Sequence, residues 1–492
     1  MQKRRLLHIV LTWLILSLAS GMGHAQQKPD PAQALAGIDQ DVANAMRELH
    51  VPGAAVGVLV HSKVVLAKGY GIREATKTAP VGTDTEFAIG SMTKSFTALI
   101  AAQLVDEGKL EWERPVVSYV PSLQFYDPTA TQLTTMRDLL SHRTGMAPHD
   151  FLRISTYLTR DQLVERIRYL EPNLTFRQDY EYNNLGYVLA GYVEGKVAGA
   201  SWEDLVRQRI FTPLNMTRSN VSAVELQASG DFAFPHDMVN GNPQPTAFYD
   251  YQKFGVGPNG AVNASVSDML KYLAFQLSDG TVDGKRVVSS AQLQHLHTPS
   301  VLVAGDTRYG FGWIVESYHG HTVLQHGGSV HGFTSHMLLL PDDGIAIVVL
   351  NNVASSLPRT ISSSLRDRLL GLTPDDYLGK TLAQLKQDKQ NDLQRRITFD
   401  AKASGHPSLP LAAYAGTYFH PAYGDIHVTV QGNRLIVHFD AYELQLRQYQ
   451  HDTFAWDENL AQFQFDSSGN VTQLLLPLEP SVKPFKFLRT SK

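Results

Sequence analysis

The strongest constraint in this chain is a pair of apolar, β-rich hairpins that lie far apart in it. Residues 54–60 (Ala-Ala-Val-Gly-Val-Leu-Val) meet a polar turn at His61-Ser62-Lys63 and continue into Val64-Val65-Leu66-Ala67. Leu338-Leu339-Leu340 meets Pro341-Asp342-Asp343-Gly344 and continues through residues 345–350. Short β-branched runs across such turns read as hairpins. Between them, stretches such as 161–170 and 268–277 carry helical spacing, separated by Gly/Pro/Asn-rich loops. A sheet is therefore expected to be built from both ends of this region, with helices between: an α/β domain.

The texture then changes twice. Residues 374–397 are polar and helix-prone, with Leu378, Leu382, Leu385 and Leu393 thinly spaced, which predicts a connecting helix. From about residue 410 the chain alternates with period two, at Ile426-His427-Val428-Thr429-Val430, Leu435-Ile436-Val437-His438-Phe439, Leu444-Gln445-Leu446 and Phe463-Gln464-Phe465. Turn signals at Gln431-Gly432-Asn433 and Ser468-Gly469-Asn470 separate these runs and predict a small all-β barrel or sandwich. The expected division is 26–372, a helical linker over 373–403, and a β domain over 404–492.

The N-terminus reads as an export leader. Lys3, Arg4 and Arg5 precede an apolar run from Leu6 to Ala19, and small residues end at Gly23-His24-Ala25. That run is shorter than the roughly 20 residues a spanning helix needs. Cleavage after Ala25 would leave residues 1–25 behind, take the net charge from −4 to −7, and put the mature chain in the periplasm or outside the cell. With 43 basic against 47 acidic residues there is no basic field for a polyanion, so nucleic-acid binding is disfavoured. The absence of cysteine removes disulfides, thiolate metal sites and a thiol nucleophile. His319, His321, His326, His331 and His336 crowd together without metal-ligand spacing, so neither metal nor cofactor is expected.

Three short elements carry chemistry. Ser91-Met92-Thr93-Lys94 opens an apolar-periodic helix with Phe96, Leu99, Ile100 and Leu104 on one side. Positions i and i+3 share a helix face, so the Lys94 amine can reach the Ser91 hydroxyl. A serine needs such a base to become a nucleophile. Tyr182-Asn183-Asn184 enters a second apolar helix; Tyr182 would serve as a phenolate base if cations held its charge, and the Asn184 amide can donate to a carbonyl. His326-Gly327-Gly328-Ser329 supplies glycines that let a substrate backbone approach a strand edge.

Together, in this order, the three elements resemble the penicillin-recognising serine hydrolases, specifically the class C β-lactamase and CubicO-type peptidase or esterase branch. Val51-Pro52-Gly53-Ala54-Ala55, Leu139-Leu140-Ser141-His142-Arg143-Thr144-Gly145-Met146 and Tyr309-Gly310-Phe311-Gly312-Trp313 strengthen the likeness, which spans about residues 35–370. It implies a β-lactamase/transpeptidase-like fold, an antiparallel sheet flanked by helices with a helical subdomain. It also implies Ser91 as nucleophile, Lys94 and Tyr182 as its proton relay, and Asn184, His326, Gly328 and Ser329 as substrate-binding residues. The backbone amides of Ser91 and Ser329 would form the oxyanion hole. The third element departs from the Lys-Thr-Gly of the lactamases, and relatives with His-x-Gly are commonly peptidases, amidases or esterases. Tyr414-Ala415-Gly416-Thr417-Tyr418 and Phe454-Ala455-Trp456 resemble the lipocalin-like domain appended to some of these hydrolases.

The expected function is thus acyl transfer to water from a β-lactam, a D-amino-acid peptide or an ester through an acyl-enzyme on Ser91. The alternative is a catalytically weak module that binds peptidoglycan fragments or penicillin. The expected partner is a small-molecule or peptide substrate, with no stable membrane span after leader removal; a homo-oligomer is left open.

Overall fold

The computed structural model describes residues 29–491, so the expected leader over 1–25 lies outside the described residues. The two hairpins meet side by side toward one edge of an eight-stranded antiparallel sheet. Gly53–Val60 pairs with Lys63–Gly71 on one side and Ile345–Asn351 on the other, with Val56 opposite Val349. The order continues through Phe333–Leu340, His321–Val330 and Ile314–Tyr318 to Thr307–Tyr309 and Val301–Ala304.

Both faces of this sheet are covered, which explains why its central strands are apolar at every position rather than at alternate ones. Ala54, Val56 and Val58 pack with the helices Ile38–Glu48 and Leu357–Leu369. Ala55 and Leu59 face the larger core that holds Thr93–Asp106 and Val266–Gln276. Gly57 sits where Val266 and Leu270 press closest, and a Cβ there would come within 2.8 Å of Val266 Cγ2. The helix Thr93–Asp106 is buried from Thr93 to Leu104 on all sides. Sequence spacing suggests one apolar stripe; the structure instead embeds the helix between the sheet and the helical subdomain that contains Asn184–Ala198.

Tyr377–Asp400 forms the linker helix, with no buried residue and with Leu378 and Leu382 resting against the cluster beneath Leu357–Leu369. Beyond it, eight strands from Gly416–His420 to Phe485–Ser491 close into a barrel, the first pairing with the last. Closure leaves no free edge, and it resolves the barrel-or-sandwich alternative. Tyr414, Tyr418, Phe454, Phe463 and Phe487 are buried within the core of this domain.

The barrel docks on the short helix Asp150–Ser155. Ala441 N–H donates to Ser155 O at 3.0 Å. The Phe151 ring lies 5.0 Å from Phe439 and 5.5 Å from Tyr442, edge-on in both cases. His149 N–H donates to the Glu479 carboxylate at 2.9 Å. No helix among the described residues is long and apolar enough to cross a membrane.

Candidate active site

Ser91 lies in a single 3₁₀ turn, Gly90–Met92, that feeds directly into the buried helix Thr93–Asp106. Gly90 makes that entry possible. Its φ is +52°, and a Cβ on it would stand 2.7 Å from the Ser329 amide nitrogen. Only glycine takes this backbone at such close range without strain. Gly328 meets the same loop from the strand side: a Cβ there would overlap the Ile89 carbonyl oxygen and the Ser335 hydroxyl, which itself donates to Ile89 O at 2.8 Å. The two glycines bring the turn carrying Ser91 against the strand carrying Ser329.

Lys94 is fully buried, with Nζ 2.9 Å from Ser91 Oγ, 2.8 Å from Asn184 Oδ1 and 3.0 Å from the Asn259 carbonyl oxygen. Asn184 Nδ2 donates to Asp150 Oδ1 at 2.9 Å; a carboxylate only accepts, so Asn184 Oδ1 must face the lysine. Burial pulls the Lys94 amine well below its ordinary 10.5, and the Arg153 charge pushes the same way against the opposing pull of Asp150. A neutral amine spends its two N–H groups on the two obligate acceptors, Asn184 Oδ1 and Asn259 O. Its lone pair is then left facing the Ser91 hydroxyl.

Tyr182 completes this chain by donating to Ser91 Oγ at 2.9 Å. Its ring lies under the Lys94 amine, 4.8 Å from ring centroid to Nζ. Burial raises its hydroxyl far above the ordinary tyrosine value, and the bond to Ser91 only partly offsets this. Sequence made Tyr182 a phenolate base only if cations held its charge; burial instead favours the neutral hydroxyl, which donates. The backbone here is set by Asn183, which caps the helix Asn184–Ala198 through its bond from Gly186 N and anchors on Met146 O and Ala147 O. His142 accepts from Asn183 N–H through Nδ1 at 3.0 Å, its ring 4.5 Å from that of Tyr182.

These groups meet in a cleft of about 450 Å³ lined by Ser91, Tyr182, Asn184 and the segment Gly327–Ser329. His326 does not line the cleft but lies close behind it: its ring is 6.4 Å from that of Tyr182, and its Nε2 is 3.0 Å from the Tyr309 hydroxyl. Its Nδ1 lies 2.6 Å from Gly327 O, which fixes the proton on Nδ1 and makes Nε2 the acceptor. Burial presses its basicity down to about 3, so it is uncharged near neutral pH. The remaining clustered histidines disperse: His321 bonds Asp343, His331 bonds Asp237, and His336 lies between Gln325 and Ser362.

The cleft also contains residues that sequence reasoning missed. Arg153, Tyr251 and Asn259 line it, and Asp150 braces it from behind. Arg153 Nε donates to Asp150 Oδ1 at 2.5 Å; burial weakens the guanidinium's basicity, and the Asp150 charge more than restores it. No spacing signal marked Asp150 or Arg153, because they sit on a six-residue helix whose place is fixed by the barrel and the loop before it.

A beta-lactamase family model matches residues 38–371, and a model described as a domain of unknown function matches residues 400–489. Unguisins hydrolase ungD′ of Aspergillus campestris is 27% identical over 435 residues, covering 82% of this chain and 80% of that protein. Penicillin-binding protein 4 of Amycolatopsis lactamdurans is 30% identical over 358 residues, covering 68% of this chain and 90% of its own length. The solved structure of an octameric penicillin-binding protein homologue from Pyrococcus abyssi superposes with a TM-score of 0.63 at 23% identity, covering 92% of this chain and all of that one.

Proposed function

Since this chain belongs to the beta-lactamase family, we propose that it is a serine hydrolase that cleaves amide or ester bonds through an acyl-enzyme on Ser91. The observation that carries this reading is the three-membered chain Tyr182–Ser91–Lys94, with both contacts at 2.9 Å. Its lysine is held in surroundings that favour the neutral amine. A mere binder has no use for such a base, and burying an amine costs several kcal/mol unless something offsets it.

In the first step Ser91 Oγ attacks the substrate carbonyl carbon while its proton passes to the Lys94 lone pair. The developing oxyanion is met by the amide N–H groups of Ser91 and Ser329, which the Gly90–Gly328 approach sets side by side; one such donor is typically worth about 3 kcal/mol in the transition state. On collapse the bond to the leaving amine or alcohol breaks, and that group takes a proton delivered through Tyr182. Water then attacks the acyl ester, giving its proton to the Lys94–Tyr182 pair, and as the acyl–oxygen bond breaks the pair passes a proton to Ser91 Oγ. Asn184 orients the acyl portion while holding Lys94. β-lactams, D-amino-acid peptides and esters all suit this engine; the buried, neutral His326 favours the latter two.

The same reading takes residues 1–25 as an export leader, giving a periplasmic or secreted protein. It takes the barrel as a lipocalin-like accessory domain. Self-association is part of the reading through the octameric Pyrococcus abyssi homologue. The test is fluorophosphonate labelling followed by digestion. Label on the peptide containing Ser91, lost in Ser91→Ala together with nitrophenyl-ester turnover, is the expected result. Label elsewhere, or turnover that survives Ser91→Ala, overturns it.

A further inference from the structure

We propose that Arg153 determines specificity in this cleft, and that the acyl donor carries a carboxylate or equivalent oxyanion that seats against its guanidinium; the proposal rests on the acyl-enzyme reading above. Among the described residues, Arg153 is the one charged residue that lines the cleft beside Ser91. It also lines a larger groove of about 1090 Å³ that runs from Ser329 to Tyr442 of the barrel. It thus stands where the two cavities join.

Its geometry leaves one edge for a ligand. Nε is engaged by Asp150, whose carboxylate also holds Asn184. The Tyr249 hydroxyl also lies against the guanidinium, but among the described residues no carboxylate or carbonyl oxygen accepts from Nη1 or Nη2. A guanidinium fixed along its Nε side presents a planar pair of donors at its end, which suits the two oxygens of a carboxylate. The helix that carries Arg153 is clamped by the barrel through Phe151, Phe439 and Tyr442, so the cation is held in place before a ligand arrives.

A second feature shows that the cleft is built for a polar ligand. Asn259 is only 2% exposed and lines the cleft, yet its Oδ1 is buried without a hydrogen-bond partner. Its backbone carbonyl is fixed by Lys94, so the side chain cannot withdraw without disturbing the base. A buried amide left unpaired is costly, and a substrate polar group would satisfy it. The charges further out in the groove are already matched: Asp237 faces His331, the Asp250 carboxylate accepts from Gln252 N and Lys253 N, and Lys253 covers the Tyr157 ring.

The test uses two ester pairs on the full-length protein. One pair places the charge on the acyl side, as the nitrophenyl ester of monosuccinate against that of monomethyl succinate. The other places it on the leaving group, as acetylated 4-hydroxybenzoate against its methyl ester. The wild type is expected to prefer the anionic member of at least one pair by about tenfold or more in kcat/KM, and the pair that responds tells which side carries the charge. In Arg153→Gln the anionic-to-neutral ratio should fall toward one, whatever loss both esters share, and Arg153→Lys should restore part of it. No anionic preference in either wild-type pair, or a preference that survives in Arg153→Gln, overturns the proposal. The wild-type pairs and Arg153→Lys decide the matter even if Arg153→Gln does not fold. Neutral-ester turnover and Ser91 labelling that persist without charge preference sink the Arg153 assignment alone; their absence sinks the acyl-enzyme reading beneath it.

Discussion

The Tyr182 hydroxyl sits 2.9 Å from Ser91 Oγ, across 91 residues of sequence, and it is protonated there. That protonation divides the labour in the cleft. Lys94, whose burial favours the neutral amine, is the group placed to accept a proton, and Tyr182 is the group placed to give one.

Substituting the two residues should therefore produce different signatures. Lys94→Met removes the base and is expected to cost about 10²- to 10⁴-fold in kcat on every substrate. Tyr182→Phe should cost little with a nitrophenolate leaving group, which departs without a proton, and about a hundredfold or more with an alkyl amide. Matched ester and amide kinetics on both variants check this. Equal losses for Tyr182→Phe on the two substrates would remove the donor role.

The pH profile follows from the same shifts. The proposed acyl transfer needs neutral Lys94, so kcat/KM should rise with pH, with unit slope, to a midpoint well below the ordinary lysine value of 10.5, and then level off. Because burial raises Tyr182 above its ordinary 10.0, no falling limb should appear below about pH 10. His326, held near 3, contributes no inflection around neutrality. An inflection near 6.5 that vanishes in His326→Gln would contradict this assignment.

Gly328→Ala tests the close approach of strand and turn. Its new Cβ would overlap Ile89 O and Ser335 Oγ, so the strand must move off the loop bearing Ser91. Overpacking of this kind costs about 1–3 kcal/mol, and a shift of about 1 Å in the site costs on the order of 100-fold in kcat/KM. Denaturant titration and ester kinetics measure the two effects separately. An alanine variant with wild-type kinetics would show that the approach is not needed to align the site.

Glu194 offers a prediction about stability. It is fully buried in the helix Asn184–Ala198, both carboxylate oxygens lack hydrogen-bond partners among the described residues, and burial raises its pKa well above 4.5. A group raised in the folded state contributes stability that is complete below its unfolded pKa and is lost as pH rises through the folded value. Glu194→Gln cannot ionise, so its stability relative to wild type should improve as pH climbs, by up to about 1.4 kcal/mol per pH unit. Thermal midpoints from pH 4 to 9 give the comparison, and a difference that stays flat with pH would refute the protonated state.

Much of this architecture was legible because it rests on local pattern. The runs at 54–60 and 345–350 are apolar at nearly every position, and that is what a strand covered on both faces requires. The i, i+3 spacing of Ser91 and Lys94 fixes their contact within one turn, whatever the rest of the chain does. Alternation beyond residue 410 announced strands, but whether they close depends on the first pairing with the last, which no local window contains.

What the sequence determined alone was the Ser91–Lys94 contact and the strand and helix periods that carry it, because backbone geometry sets those distances over a few residues. The tertiary structure decided the protonation states, since desolvation depends on everything packed around Lys94, Tyr182 and His326. It also decided which cation faces the cleft. His326 occupies the expected strand position but is buried against Tyr309 and does not line the cleft, while Arg153 arrives from a short helix clamped by a separate domain.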